Sequence, residues 1–107
     1  MGNGFDISKI VGFDWDKGNV EKNKVKHNVN KEECEQIFSN KPLIIFEDEE
    51  HSKTETRFGA FGNTNKGRRL TMFFTVRNKE IRVISARNQS KREKEISKEI
   101  EEANTYE

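Results

Sequence analysis

Two strand-forming segments joined by a two-residue turn constrain this chain more than any other feature. Arg69–Arg77 is rich in Phe, Thr and Val, which suit a pleated, half-buried surface. Asn78-Lys79 reads as a tight hairpin turn and Glu80–Arg87 as the returning strand. Leu43–Glu47 and Thr56–Gly62 read as two further strands, with a turn at Asn63–Gly67. Connections this short pair strands antiparallel, because parallel pairing needs a long crossover. The expectation is an antiparallel sheet of four strands or so.

Helices flank the sheet. Phe13–Asp16 reads as a short extended segment feeding a helix that Asp16 caps and that runs to about Lys26 or His27. Asn30 and Glu33 form a capping box for a second helix. Val29 and Cys34 make its staple pair, Ile37 and Phe38 its apolar face, and Asn40 and Pro42 its end. Ser90 and Glu93 form another capping box. The helix it opens has a narrow apolar stripe of Ile96, Ile100 and Ala103, suited to the protein surface or to a partner. The fold class is therefore α+β: two N-terminal helices, the sheet, then a C-terminal helix, with the helices on one face.

At 107 residues one domain over 1–107 is expected, with residues 1–10 and 101–107 disordered. Hydrophobic residues make up only 31% of the chain, which fits a thin core completed by a partner or, as composition alone favours, a plain, highly charged globular domain. Eight Phe partly offset this, since each ring buries a large area.

The net charge of +1 hides segregation. Lys53–Arg92 holds eleven Lys or Arg against Glu55 and Glu80, and Lys17–Lys31 holds five Lys against one Glu. Two such stretches can build one basic patch for phosphate polyanions, or lie solvated among mixed charges. Acids gather at Glu47–Glu50 and in the tail. The single cysteine, Cys34, allows no intramolecular disulfide and reads as a small buried residue in a reducing compartment. With no long apolar run and no apolar segment in the first ten residues, the expected location is the cytoplasm, away from membranes.

The chain offers no Gly-rich phosphate loop and no HExxH, and its two histidines are not at metal-ligand spacing. Chemistry without metal or cofactor is expected. Cutting RNA that way needs a base for the 2′-hydroxyl, fixed cations for the crowded phosphate and an acid for the 5′-oxygen. His27, beside Lys26 at a helix end, and His51, after the acidic run, are candidates for base or acid. Arg57, Arg82 and Arg87 are strand arginines able to grip phosphate oxygens. Trp15 could stack a base or sit in the core, and Lys26 and Arg69 add cations for RNA. Strict alternation puts Arg82 on the face of Ile84 and Ala86, with Arg87 on the other. Both enter one site only if the strand twists, or ends near Arg87.

From about Phe13 to Glu95 the chain resembles the BrnT toxin family. The resemblance lies in FDWDKGNVEKNKVKHNV at Phe13–Val29, EDEEHSKTETRFGAFG at Glu47–Gly62, GRRLTMFFTVR at Gly67–Arg77 and IRVISARNQSKREKE at Ile81–Glu95. It implies a RelE-like fold and an endoribonuclease toxin of a type II toxin–antitoxin system that arrests growth by cutting RNA. It further implies a BrnA-like, DNA-binding antitoxin of ribbon-helix-helix type, in a heterotetramer. One departure is Ile96, where the family leads one to expect an aromatic residue. The rival reading is a non-catalytic nucleic-acid or protein-binding module, or a toxin whose site has decayed.

Overall fold

The computed structural model describes residues 5–105. Five strands form one sheet in the order β1-β5-β4-β3-β2: β1 Gly12–Phe13, β2 Ile44–Glu47, β3 Phe58–Asn63, β4 Arg69–Arg77 and β5 Glu80–Asn88. Three helices complete the fold: α1 Lys17–His27, α2 Lys31–Gln36 and α3 Lys91–Thr105. The expected strands β2 to β5 pair antiparallel. The fifth, β1, adds parallel to β5, with Phe13 opposite Ile81. Parallel pairing is open to it because the two strands are far apart in sequence.

The β4–β5 hairpin turns on Asn78 and Lys79, both at positive φ (53° and 65°), as a two-residue turn matched to strand twist requires. Alternate residues Leu70, Met72 and Phe74 of β4 face the core with Phe58, Ala60, Ile81, Val83 and Ala86. Val29, Cys34 and Ile37 cover them from around α2. Side chains the size of Phe74, fully buried, each contribute roughly 1.5–3 kcal/mol. Burial also pushes the Cys34 thiol up to about 12, as an inert core thiol should be.

Asp16 caps α1 in a capping box with Asn19, and Asn30 and Glu33 close the box on α2. α2 ends at Gln36, short of the expected Asn40–Pro42, and Ile37 turns into the core at its C-cap. Arg68 ties the two helices together. Its Nη1 donates to the Asn28 carbonyl and the Glu33 carboxylate, and its Nη2 to the His27 carbonyl. The carbonyls at the C-terminus of α1 are thus partnered.

One expectation fails here. The helices do not share one face: α3 meets the opposite side of the sheet, where Glu93 accepts from Thr71 and Arg87 and Ser97 accepts from Arg69. Its inward residue is the fully buried Ser97, while Ile100 and Ala103 of the apolar stripe are exposed. That side of the sheet is lined with Arg and Thr, so a polar helix edge finds more partners there than an apolar one. Near the ends, Ile7–Lys9 forms a 3-10 turn capped by Asp6, and α3 continues through Thr105. Of the end segments expected to be disordered, residues 1–4 and 106–107 lie outside the described residues. Among the described residues no helix is long and apolar enough to cross a membrane.

Candidate active site

The side of the sheet turned away from the core collects arginines. Across β4 and β5, Thr71 pairs with Arg87 and Phe73 with Ser85, but Phe74 pairs with Val83. Ile84 is therefore an extra residue, a β-bulge. It resets the alternation, so Arg82, opposite Thr75, and Arg87, opposite Thr71, point the same way. α1 grips the strand on either side of the bulge. Asn19 Nδ2 donates to the Val83 carbonyl at 3.4 Å, and Asn23 Oδ1 accepts the Ala86 N–H at 3.0 Å. Both asparagines are buried.

Arg57, just before β3, lies on the same side, its guanidinium carbon 4.9 Å from the centre of the Phe73 ring. Phe46 packs against Phe61 and Phe73 beside it. The β2–β3 connection brings His51 to this arginine through Asp48. Asp48 Oδ2 is 3.0 Å from His51 Nδ1 and 3.1 Å from Arg57 Nε. Ser52 Oγ stitches the loop, donating to the Asp48 carbonyl and accepting the Arg57 N–H. With Nδ1 on the carboxylate, the Nε2 of the exposed His51 is the nitrogen left to reach a substrate.

The Arg57–Asp48 pair is close but badly aligned. Arg57 Nε and Thr75 Oγ1 are buried side-chain atoms with no hydrogen-bond partner among the described residues. Phe58 pairs with Phe74 and Thr75 with Arg82, so continuing the register one residue before β3 puts Arg57 beside the Thr75–Arg82 pair.

Each of these arginines has an acid beside it. Arg82 reaches Asp16 at 2.7 Å and Asp14 at 3.5 Å. The Asn19 N–H first, then Arg82, hold the Asp16 carboxyl below its usual range. Arg87 and Glu93 pair through both forks, at 2.7 and 2.9 Å. Arg87, then the Ser90 N–H and the Thr71 hydroxyl, hold Glu93 at about 2 against the opposing effect of burial. Arg69 pairs with Glu101, and Arg77 with Glu55.

Of the residues singled out in the sequence, Arg57, Arg69, Arg82 and Arg87 share this side, and His51 joins them through Asp48. The others sit elsewhere. His27 ends α1, half-buried, with its carbonyl on Arg68, and Lys26 beside it is exposed. No contact among the described residues links them to the arginines. Trp15 packs at the core edge, its ring stacked on Phe13 and its Nε1 donating to Glu35 at 2.7 Å. Asp48 and Thr75 were not singled out. The signal for Asp48 was its place three residues before His51 within the acidic run, and Thr75 carries no local signal.

A family profile matches residues 15–93, that of the ribonuclease toxin BrnT of type II toxin–antitoxin systems. The chain belongs to the BrnT ribonuclease toxin family. No curated protein matches it. The BrnT match runs from Trp15 to Glu93, so it takes in Asp16, Asp48, His51, Arg57, Thr75, Arg82 and Arg87. It leaves out β1 and most of α3, including Glu101. A BrnT toxin of a type II system implies a cognate antitoxin. No group of three or more His, Cys, Asp or Glu among the described residues is arranged to hold a metal ion.

Proposed function

We propose that this chain is a metal-independent endoribonuclease whose site is the side of the sheet bearing Arg57, Arg82 and Arg87. The observation that carries this reading is the row Arg57–Thr75–Arg82, in which Thr75 Oγ1 has no hydrogen-bond partner and Arg57 Nε has only a poorly aligned ion pair with Asp48. Arg57 and Arg82 start one strand to either side of Thr75, about 5 Å each, so two guanidinium forks can close on one phosphate. A buried polar atom left unpaired costs about 1–3 kcal/mol, a cost that a bound group can relieve. Arg87, on the same side, supplies a third cation.

In the reaction the 2′-oxygen bonds to its own phosphorus and the bond from phosphorus to the 5′-oxygen breaks. The products are a 2′,3′-cyclic phosphate and a free 5′-hydroxyl. The 2′-hydroxyl gives up a proton and the 5′-oxygen gains one. His51, oriented by Asp48, carries one of these protons at Nε2. His27 stays a candidate for the other, with Lys26, and Arg69 extends the cationic surface. The arginines stabilise charge on the phosphate as it becomes crowded.

The antitoxin is proposed to be BrnA-like, of ribbon-helix-helix type and DNA-binding, forming a heterotetramer in the cytoplasm and covering the arginines with acids or a helix. The test is induction of this chain alone in bacteria, beside Arg57→Ala, with total RNA run on a gel. Arrest with degraded RNA, relieved by the folded variant, supports the reading. Normal growth with intact RNA from well-expressed protein favours a non-catalytic binding module or a decayed toxin.

A further inference from the structure

A groove of about 610 Å³ runs between α3 and the strand ends. Gly67, Arg68 and Arg69 line it from the start of β4, Asn88 from the end of β5, and Lys94 and Lys98 from α3. Four of these residues are cations and no carboxylate lines the groove. The two arginines are held in place. Arg68 Nε donates to Asn88 Oδ1 at 2.7 Å, and Arg69 Nη1 donates to Ser97 and Glu101. Lys94 and Lys98, one helical turn apart and exposed, have no ion-pair partner among the described residues.

The groove adjoins the arginine site. Arg69 shares a side of β4 with Thr71, the partner of Arg87, and the two lie about 7 Å apart along the strand. We propose that this groove holds backbone phosphates of the RNA next to the cleaved bond. The choice of RNA as substrate rests on the ribonuclease reading. The lining supports a polynucleotide over an acidic peptide: it carries cations and amides but none of the apolar pockets in which a peptide anchors its side chains.

The test is binding of a 2′-O-methyl RNA oligonucleotide, which has no free 2′-hydroxyl to attack, at several salt concentrations. The wild type is compared with K94Q/K98Q and with K17Q/K22Q, which removes the same charge from α1. A 2′-O-methyl dinucleotide, too short to reach the groove, is measured in parallel. K94Q/K98Q is expected to bind the longer RNA on the order of 10-fold more weakly, with a salt slope shallower by about 1.4, for two lost single-strand phosphate contacts. Its dinucleotide affinity and the longer-RNA affinity of K17Q/K22Q should stay at wild-type values. Unchanged affinity and slope in K94Q/K98Q would overturn the proposal. So would an equal loss in K17Q/K22Q, no RNA binding by the wild type, or a loss confined to a polyglutamate peptide. Cleavage is read separately, so failure of the ribonuclease reading would show as tight, salt-dependent binding without cutting.

Discussion

Arg82 and Arg87 point to the same side of the sheet although they are five positions apart, a spacing that strict alternation puts on opposite sides. The cause is the single residue Ile84, which has no partner in the β4–β5 register. Without it, one arginine would face the core, where Val83 and Ala86 now lie. The bulge places its neighbours' backbone groups against α1, and Asn19 and Asn23 meet them there.

Asn23 is therefore a structural residue despite its polarity. Asn23→Leu, with the same heavy-atom branching, leaves the buried Ala86 N–H without an acceptor. The expected loss is about 1–3 kcal/mol, read as a lower urea midpoint. A midpoint equal to that of the wild type would show that the bulge holds without α1.

Asp48 and His51 should act as a unit. His51→Ala is expected to lower the RNA cleavage rate by about 10²–10⁴-fold, and Asp48→Ala by less. The double variant should be no slower than His51→Ala if Asp48 acts through the imidazole it orients rather than through Arg57, its other neighbour. Losses that multiply in the double variant would separate Asp48 from His51.

Two strand glycines should differ in what they tolerate. A methyl at Gly62 would sit 2.7 Å from Ile37 Cβ, in the packed core. Gly62→Ala should cost about 1–3 kcal/mol. At Gly59 the methyl would meet the far end of the Phe46 ring, a half-buried side chain that can swing aside. Gly59→Ala should stay closer to wild-type stability while disturbing the aromatic contact beside Arg57. Thermal unfolding of both variants decides, and the opposite order of melting temperatures would count against this packing.

Glu93 makes stability depend on acid. Its carboxyl lies at about 2 in the folded chain, against an ordinary value of 4.5. A lowered folded-state value adds stability that is complete above 4.5 and is lost as pH falls toward 2. The stability gap between wild type and Glu93→Gln should therefore be widest near neutral pH and close through that window. Denaturant unfolding at a series of pH values measures it, and a gap that stays constant with pH would exclude the Arg87–Glu93 pair as its source.

Legibility in the sequence followed distance along the chain. The caps at Asp16, Asn30 and Ser90 and the turn at Asn78-Lys79 were readable, because each is satisfied by residues two to three positions away. The strand β4 was readable to its bounds from its residue types. Arg57, Arg82 and Arg87 were legible as strand arginines, but their common side was not. That depends on a register slip at Ile84 and on contacts from Asn23, 63 residues away. The parallel strand β1 and the side of the sheet that α3 occupies have the same origin. The stripe of Ile96 and Ile100 suited the protein surface or a partner, but only the fold shows that Ser97 is the residue buried, because Arg69, Thr71 and Arg87 offered hydrogen bonds to Glu93, Ser97 and Glu101.

By itself the sequence determined the order and type of the elements, since helix caps, tight turns and strand preferences are settled among near neighbours. Only the tertiary structure decided which side chains meet, since that turns on pairing between distant segments, where one inserted residue redirects every side chain beyond it.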